Sequence, residues 1–235
     1  MPVTIVAEIG INHNGDLSQA FQLIDMAKDA GADVAKFQCF DPEEISEIGT
    51  YYRWLLKDRL IAADDMCVLK EYCLSKLIGF AVSVFDVSSA YMALEDLKPS
   101  FIKIPSGKWE DVDIIGALND SEIPLVFSNG KNYRQESPLH GTLLYCVSEY
   151  PTPIGHINLA QMRAADGFSD HTIGNTAAII AATTGAVMIE KHVTMDATQS
   201  GPDHAMSADP KAFNEYVKAI REAEEMLNPS EKSKC

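Results

Sequence analysis

Eight short β-branched or apolar runs alternate along this chain with helical runs, and that alternation restricts the fold more than any other feature. The runs fall at residues 4–8, 34–38, 79–85, 101–105, 125–128, 143–147, 167–169 and 187–192. Helical patterning fills 17–30, 62–76, 88–97, 113–119, 177–184 and 210–227. Strands separated by helices are parallel, and eight of them in 235 residues fit a compact (β/α)8 TIM barrel. A doubly wound open sheet is the competing architecture, but no Gly-x-Gly-x-x-Gly turn follows the first strand.

Local chemistry supports the boundaries. Asn14-Gly15 is a turn signal, Asp16 is a good N-cap for the helix that follows, and Gly31 ends it. Leu23, Met26, Ala27 and Ala30 give that helix an apolar stripe for the sheet. The outer layer thins after strands five and six. Residues 129–138 are polar and run to Pro138, and 151–165 hold at most a short helix. A barrel built this way needs cover on that side, and a second copy in a homodimer is one source. The reading is a single barrel over 1–227 and a polar tail at 228–235.

A net charge of −15 argues against binding nucleic acid or an anionic membrane. An anionic substrate would have to be met by a local group of lysines. No apolar run is long enough to cross a bilayer, and Met1-Pro2-Val3-Thr4 lacks the basic start of a secretory leader. Five cysteines, odd in number and without a Cys-x-x-Cys pair, read as reduced cytoplasmic thiols. Cys39 and Cys146 fall near strand ends, where either could line a site or serve as a small buried hydrophobe.

Polar residues collect at the ends of the apolar runs. Glu8, Lys36, Ser83 and Lys103 close the first four, and Ser128 the fifth. Ser148 and Tyr150 follow the sixth, Ser169 and His171 the seventh, and Glu190 and His192 end the eighth. Charges inside apolar strands are costly unless paired, so their gathering at one barrel end marks a site. Lys36 and Lys103, with Ser83, Ser106, Ser128 and Ser169, could hold a phosphate or carboxylate. Either lysine could instead be a structural ion pair with Glu8 or Glu190, or a Schiff-base lysine. His171 and His192, at the ends of successive strands, suit a divalent metal or are two unrelated polar histidines.

Several motifs carry a resemblance. Ala7-Glu8-Ile9-Gly10, Asn12-His13-Asn14-Gly15-Asp16, Lys36-Phe37-Gln38, Ile102-Lys103-Ile104, Ser106-Gly107 and Tyr150-Pro151-Thr152-Pro153 occur in order. Phe168-Ser169-Asp170-His171-Thr172, Ile189-Glu190-Lys191-His192 and Gly201-Pro202-Asp203-His204-Ala205-Met206-Ser207 follow. Together they resemble the sialic acid synthase family over nearly the whole chain. The resemblance implies a (β/α)8 barrel that condenses phosphoenolpyruvate with an N-acylated amino sugar or related aldose and releases phosphate. It implies a divalent cation at His171 and His192, manganese, with magnesium or cobalt as alternatives. Lys36, Ser83, Lys103, Ser106, Ser128 and Ser169 would hold phosphoenolpyruvate. Glu8, Lys36, Lys103 and Glu190 would be catalytic, while Lys108, Ser148, Tyr150 and Asp203 would face the sugar.

Three departures bear on the acceptor. Lys108 stands where the family usually has an acid, and a cation can only donate hydrogen bonds where a carboxylate accepts them. Ser148 stands where asparagine is common. Typical members continue into a small antifreeze-like domain, and this sequence stops at Cys235. These departures leave a non-catalytic barrel that binds a phosphorylated ligand as an alternative function.

Overall fold

A computed structural model describes residues 2–44, 56–130 and 137–227. Eight parallel strands close into a barrel in chain order. They are β1 (Thr4–Gly10), β2 (Val34–Cys39), β3 (Gly79–Val84), β4 (Ile102–Ile104), β5 (Leu125–Asn129), β6 (Thr142–Tyr145), β7 (Gly167–Asp170) and β8 (Met188–His192). The doubly wound alternative is excluded, because β1 pairs with β8 from Thr4↔Met188 to Glu8↔His192 and leaves no open edge.

Helices pack outside the strands. α1 (Leu17–Asp29) follows β1, α2 (Ala63–Ser75) precedes β3, and α3 (Val87–Met92) and α4 (Val112–Leu118) flank β4. α5 (Leu159–Ala164), α6 (Thr176–Thr183) and α7 (Pro210–Leu227) complete the layer. Asp16 caps α1 as its position suggests, its carboxylate accepting from the Ser18 amide at 2.7 Å. Gly31 follows at φ +89°, a conformation that glycine adopts without steric cost. α6 presents Ala177, Ala178 and Ala181 to the sheet, and such small side chains let the helix lie close. The thin outer layer is as expected after β6, where α5 has six residues. After β5 no helix occurs among the described residues; 131–136 and the polar tail 228–235 lie outside them.

Strand alternation sorts the side chains into two environments. Ile5, Ala7, Ile9, Phe37, Phe80 and Ile189 point outward into one large core beneath the helices. Val6, Val34, Ala81, Phe101, Val126 and Leu144 fill the floor of the barrel interior, with Met188 against them. Gly167 completes that floor because nothing larger fits: a Cβ there would lie 2.3 Å from the Met188 carbonyl oxygen and 2.6 Å from Leu144.

The strand bounds correct one expectation. Lys36 and Lys103 lie in the middle of β2 and β4 and not at their ends. The charged level therefore sits inside the barrel, one alternation above the apolar floor. β1 also continues to Gly10, through an irregularity between Glu8 and Gly10. β6 stops at Tyr145, which leaves Cys146 and Val147 in the segment that leads to the mouth.

Candidate active site at the barrel mouth

Register assembles the charged level. Glu8 pairs with Lys36 on one side and His192 on the other, Ser83 with Lys103, and Ser169 with Glu190. Glu8, Lys36, Lys103 and Glu190 are all buried. Lys36 forms an ion pair with Glu8, lies 3.5 Å from Glu190 and donates to the Ser83 hydroxyl at 2.6 Å. Lys103 reaches both oxygens of Glu190 at 3.2 Å, and Ser169 donates to one of them at 2.9 Å. Four ions taken from water are tolerable only because each faces an opposite charge.

Their electrostatics separate the two carboxyls. Burial pushes Glu8 above the ordinary carboxylate range, against the pull of Lys36. Burial acts on Glu190 in the same sense, but Lys103 and Lys36 outweigh it and hold Glu190 well below that range. The lysines divide likewise. Lys36 stays charged because Glu190 and Glu8 overcome its burial, while burial pulls Lys103 down despite Glu190. One carboxyl can thus hold a proton beside one that stays ionised, an arrangement suited to acid–base work.

The two histidines meet above this level, with ring centroids 5.7 Å apart. His171 Nδ1 lies 2.8 Å from the Val147 carbonyl, an acceptor, so Nδ1 carries the hydrogen and Nε2 keeps its lone pair. Burial holds both rings below the ordinary imidazole range, with His171 adding to the effect on His192. Neutral imidazoles with free lone pairs are the donors that divalent transition metals take, and the pair fits that role. Among the described residues no third His, Cys, Asp or Glu completes a metal cluster with them. Tyr150 covers the pair, its ring 4.2 Å from His171. Asp203 Oδ2 is 3.8 Å from His192 Nδ1, and burial followed by the charge of Glu8 pushes Asp203 up to about 6.

The acceptor-side candidates divide. Tyr150 and Asp203 lie beside the histidines, Asp203 on a loop tied down by Ser207 and Asn12. Ser106 and Ser148 lie 3.0 Å apart, so the serine proposed for phosphoenolpyruvate and the one proposed for sugar share a hydrogen bond. Lys108 is drawn to Asp111 at 3.2 Å, the residue that caps α4, and so is already matched by a carboxylate. Two further residues belong to the site. Gln38 donates to Glu8 Oε1 at 2.9 Å. Cys146 is buried beside Ser106 and Ser128; burial raises its thiol while Lys103 opposes. Strand parity gave the signal for both, since Gln38 lies two residues beyond Lys36 and Cys146 two beyond the inward Leu144. Cys39 faces the outer core instead.

Comparison with known proteins agrees with the barrel fold and shows the family. The model of the NeuB family matches residues 23–232. An N,N'-diacetyllegionaminic acid synthase of Legionella pneumophila is 35% identical, the match covering 99% of this chain and 75% of that protein. The human N-acetylneuraminate-9-phosphate synthase is 30% identical, over 96% of this chain and 71% of its own. A crystal structure of the N-acetylneuraminic acid (sialic acid) synthetase of Leptospira borgpetersenii, in complex with citrate, superposes with a TM-score of 0.89 at 31% identity. It covers 100% of this chain and 88% of that one.

Proposed function

The chain belongs to the NeuB family of sialic acid synthase-type enzymes, and on that premise we propose that it condenses phosphoenolpyruvate with an N-acyl amino sugar or related aldose. The product is a sialic-acid-like nonulosonic acid, and phosphate is released. The carrying observation is the buried Glu8–Lys36–Glu190–Lys103 level beneath the paired histidines.

Phosphoenolpyruvate would enter a site whose two lysines are balanced by two carboxyls. Protonating Glu8, which burial already favours, leaves a net positive charge to receive the anion. Lys36 and Lys103, with the hydroxyls of Ser83, Ser106, Ser128 and Ser169, would fix the carboxylate and phosphate before reaction. Fixed charge of this kind needs no reorganisation in the transition state. C3 of the enolpyruvate then bonds to the aldehyde carbon of the acceptor. Water adds at C2, and the C2–O bond to phosphate breaks. Glu8, bonded to Gln38 and Lys36, would hold and return the proton these steps require. Glu190 stays ionised and keeps Lys103 in place.

His171 and His192 would hold a divalent cation, manganese by our reading, which when bound supplies positive charge to polarise a carbonyl. Tyr150 and Asp203 would meet the sugar. Lys108 and Ser148 differ from the residues expected there, so the acceptor would be selected by this edge of the mouth. No helix among the described residues is long and apolar enough to cross a membrane. The free cysteines suit a reducing cytoplasm, where we place the reaction.

The test is phosphate release from phosphoenolpyruvate with manganese, across neutral, acidic and phosphorylated N-acyl aldoses. Release that needs both metal and one acceptor, with a matching keto-acid product, is the expected result. Phosphoenolpyruvate that binds without turnover on any acceptor would overturn it. One observation favours a second reading: Lys103 has the lowered basicity a Schiff-base lysine needs. Borohydride trapping with a keto acid would capture that adduct, and an untrapped Lys103 removes the idea.

A further inference from the structure

The site leaves two residues of the most distinctive motifs without a part in it. Ser169 and Glu190 pair in register toward the interior; the next pair, Asp170 and Lys191, turns outward. There they meet Tyr216 of α7, and all three are buried. Tyr216 donates its hydroxyl to Asp170 Oδ2 at 2.9 Å, and Lys191 Nζ lies 3.3 Å from the same oxygen. Lys191 also sits over the Tyr216 ring, 5.3 Å from its centroid, and donates to the Thr172 carbonyl. Asp170 Oδ1 takes the Thr172 amide at 2.8 Å and the Thr172 hydroxyl at 2.7 Å.

These bonds enclose His171. Asp170 before it and Thr172 after it are bound to each other, and Lys191 grips both. Thr152 donates its amide to the His171 carbonyl at 2.8 Å, and Val147 holds Nδ1. Lys191 is itself the residue before His192. A buried ion pair adds little net stability compared with apolar packing of the same volume. Packing alone would be served as well by phenylalanine at 216, which already stacks on Phe213. A group that fixes both neighbours of one imidazole and the neighbour of the other is instead built to set direction.

We propose that Asp170, Lys191 and Tyr216 form a brace outside the barrel that orients His171 and His192 toward the mouth. They are positioning residues. The proposal rests on His171 and His192 being the working pair of the site. It assigns a purpose to the Asp of Ser-Asp-His-Thr and the Lys of Glu-Lys-His, neither of which reaches the interior. Partners that orient a liganding imidazole commonly change metal affinity by 10- to 100-fold when removed.

The experiment compares Tyr216→Phe, Asp170→Asn and Lys191→Met with the parent. A cavity of about 240 Å³ lined by Lys191, Thr172 and Tyr216 gives the methionine room. Three readouts are taken on each folded variant: imidazole nitrogen NMR of the metal-free protein, calorimetric titration with manganese, and calorimetric titration with phosphoenolpyruvate. The brace predicts shifted His171 and His192 imidazole signals and manganese affinity weakened by about tenfold, with phosphoenolpyruvate affinity held. Tyr216→Phe should give the mildest form of this pattern, and it decides the matter if Asp170→Asn fails to fold. Imidazole signals unchanged in Tyr216→Phe and in every other folded variant overturn the brace. If the parent takes up no manganese while the variants still move the imidazole signals, the cation reading fails and the brace stands.

Discussion

The floor and the charged level of the barrel interior lie one alternation apart on the same strands, yet they are built from opposite materials. Val6 leads to Glu8, Val34 to Lys36, Ala81 to Ser83, Phe101 to Lys103, Val126 to Ser128 and Met188 to Glu190. The floor removes apolar surface from water and stabilises the fold. The level above strips four ions of their hydration and recovers part of that loss by pairing. A chain selected for stability alone would have continued the floor upward, so the chemistry is to be sought where the material changes.

Substitutions in the two levels should therefore separate activity from stability. The largest effect expected is on turnover. Lys103→Met should lower kcat/KM on the order of a thousandfold, as loss of a fixed charge in a dry site does. Its melting point should fall less than that of Phe101→Ala, because Glu190 keeps Lys36 and Ser169. A melting loss as large as that of Phe101→Ala would erase the distinction between the levels. Phe101→Ala, measured by urea unfolding, should cost about 3 kcal/mol while leaving the phosphoenolpyruvate affinity of the folded protein near that of the parent. Gly167→Ala should destabilise by about 2 kcal/mol through its collision with Met188 and Leu144, again without a specific loss of ligand binding.

The histidines give a pH test of the upper level. Above their ordinary value of 6.5, folded and unfolded chains carry the same neutral rings. As pH falls below 6.5, the unfolded chain takes up protons that the folded state resists. Stability attributable to these two rings is therefore present above 6.5 and lost as pH falls toward their depressed folded values. Unfolding free energies at several pH values should fall less steeply below 6.5 in a His171→Gln, His192→Gln double variant than in the parent, with buried His13 and His204 contributing the same remainder to both. The smallest effect lies far from both levels. Lys218→Ala on the exposed face of α7 removes a 3.6 Å pair with Glu222 and should change stability by about 0.3 kcal/mol, with no effect on ligands.

Much of this was legible in the sequence, because period-two alternation is written residue by residue. It placed Glu8, Lys36, Ser83, Lys103, Ser128 and Glu190 as polar interruptions of apolar runs. The order of the runs specified the barrel. Gln38 was passed over although its parity matched that of the site, and Cys146, just past the end of β6, was left between a site role and a buried hydrophobe. Lys108 shows the opposite limit: its charge was plain, but its pairing with Asp111 depends on how the turn before α4 folds.

The sequence by itself determined the architecture, the identities of the charges and which residues of a strand share a face, since all three follow from local pattern. Only the tertiary structure decided which face is the interior and which charge meets which. It placed Lys36 between Glu8 and Glu190, turned Asp170 and Lys191 outward against Tyr216, and put Cys146 inside while Cys39 lies out. The physical reason is that closing eight strands fixes every register at once, and register is a property of neighbouring strands that no single strand encodes.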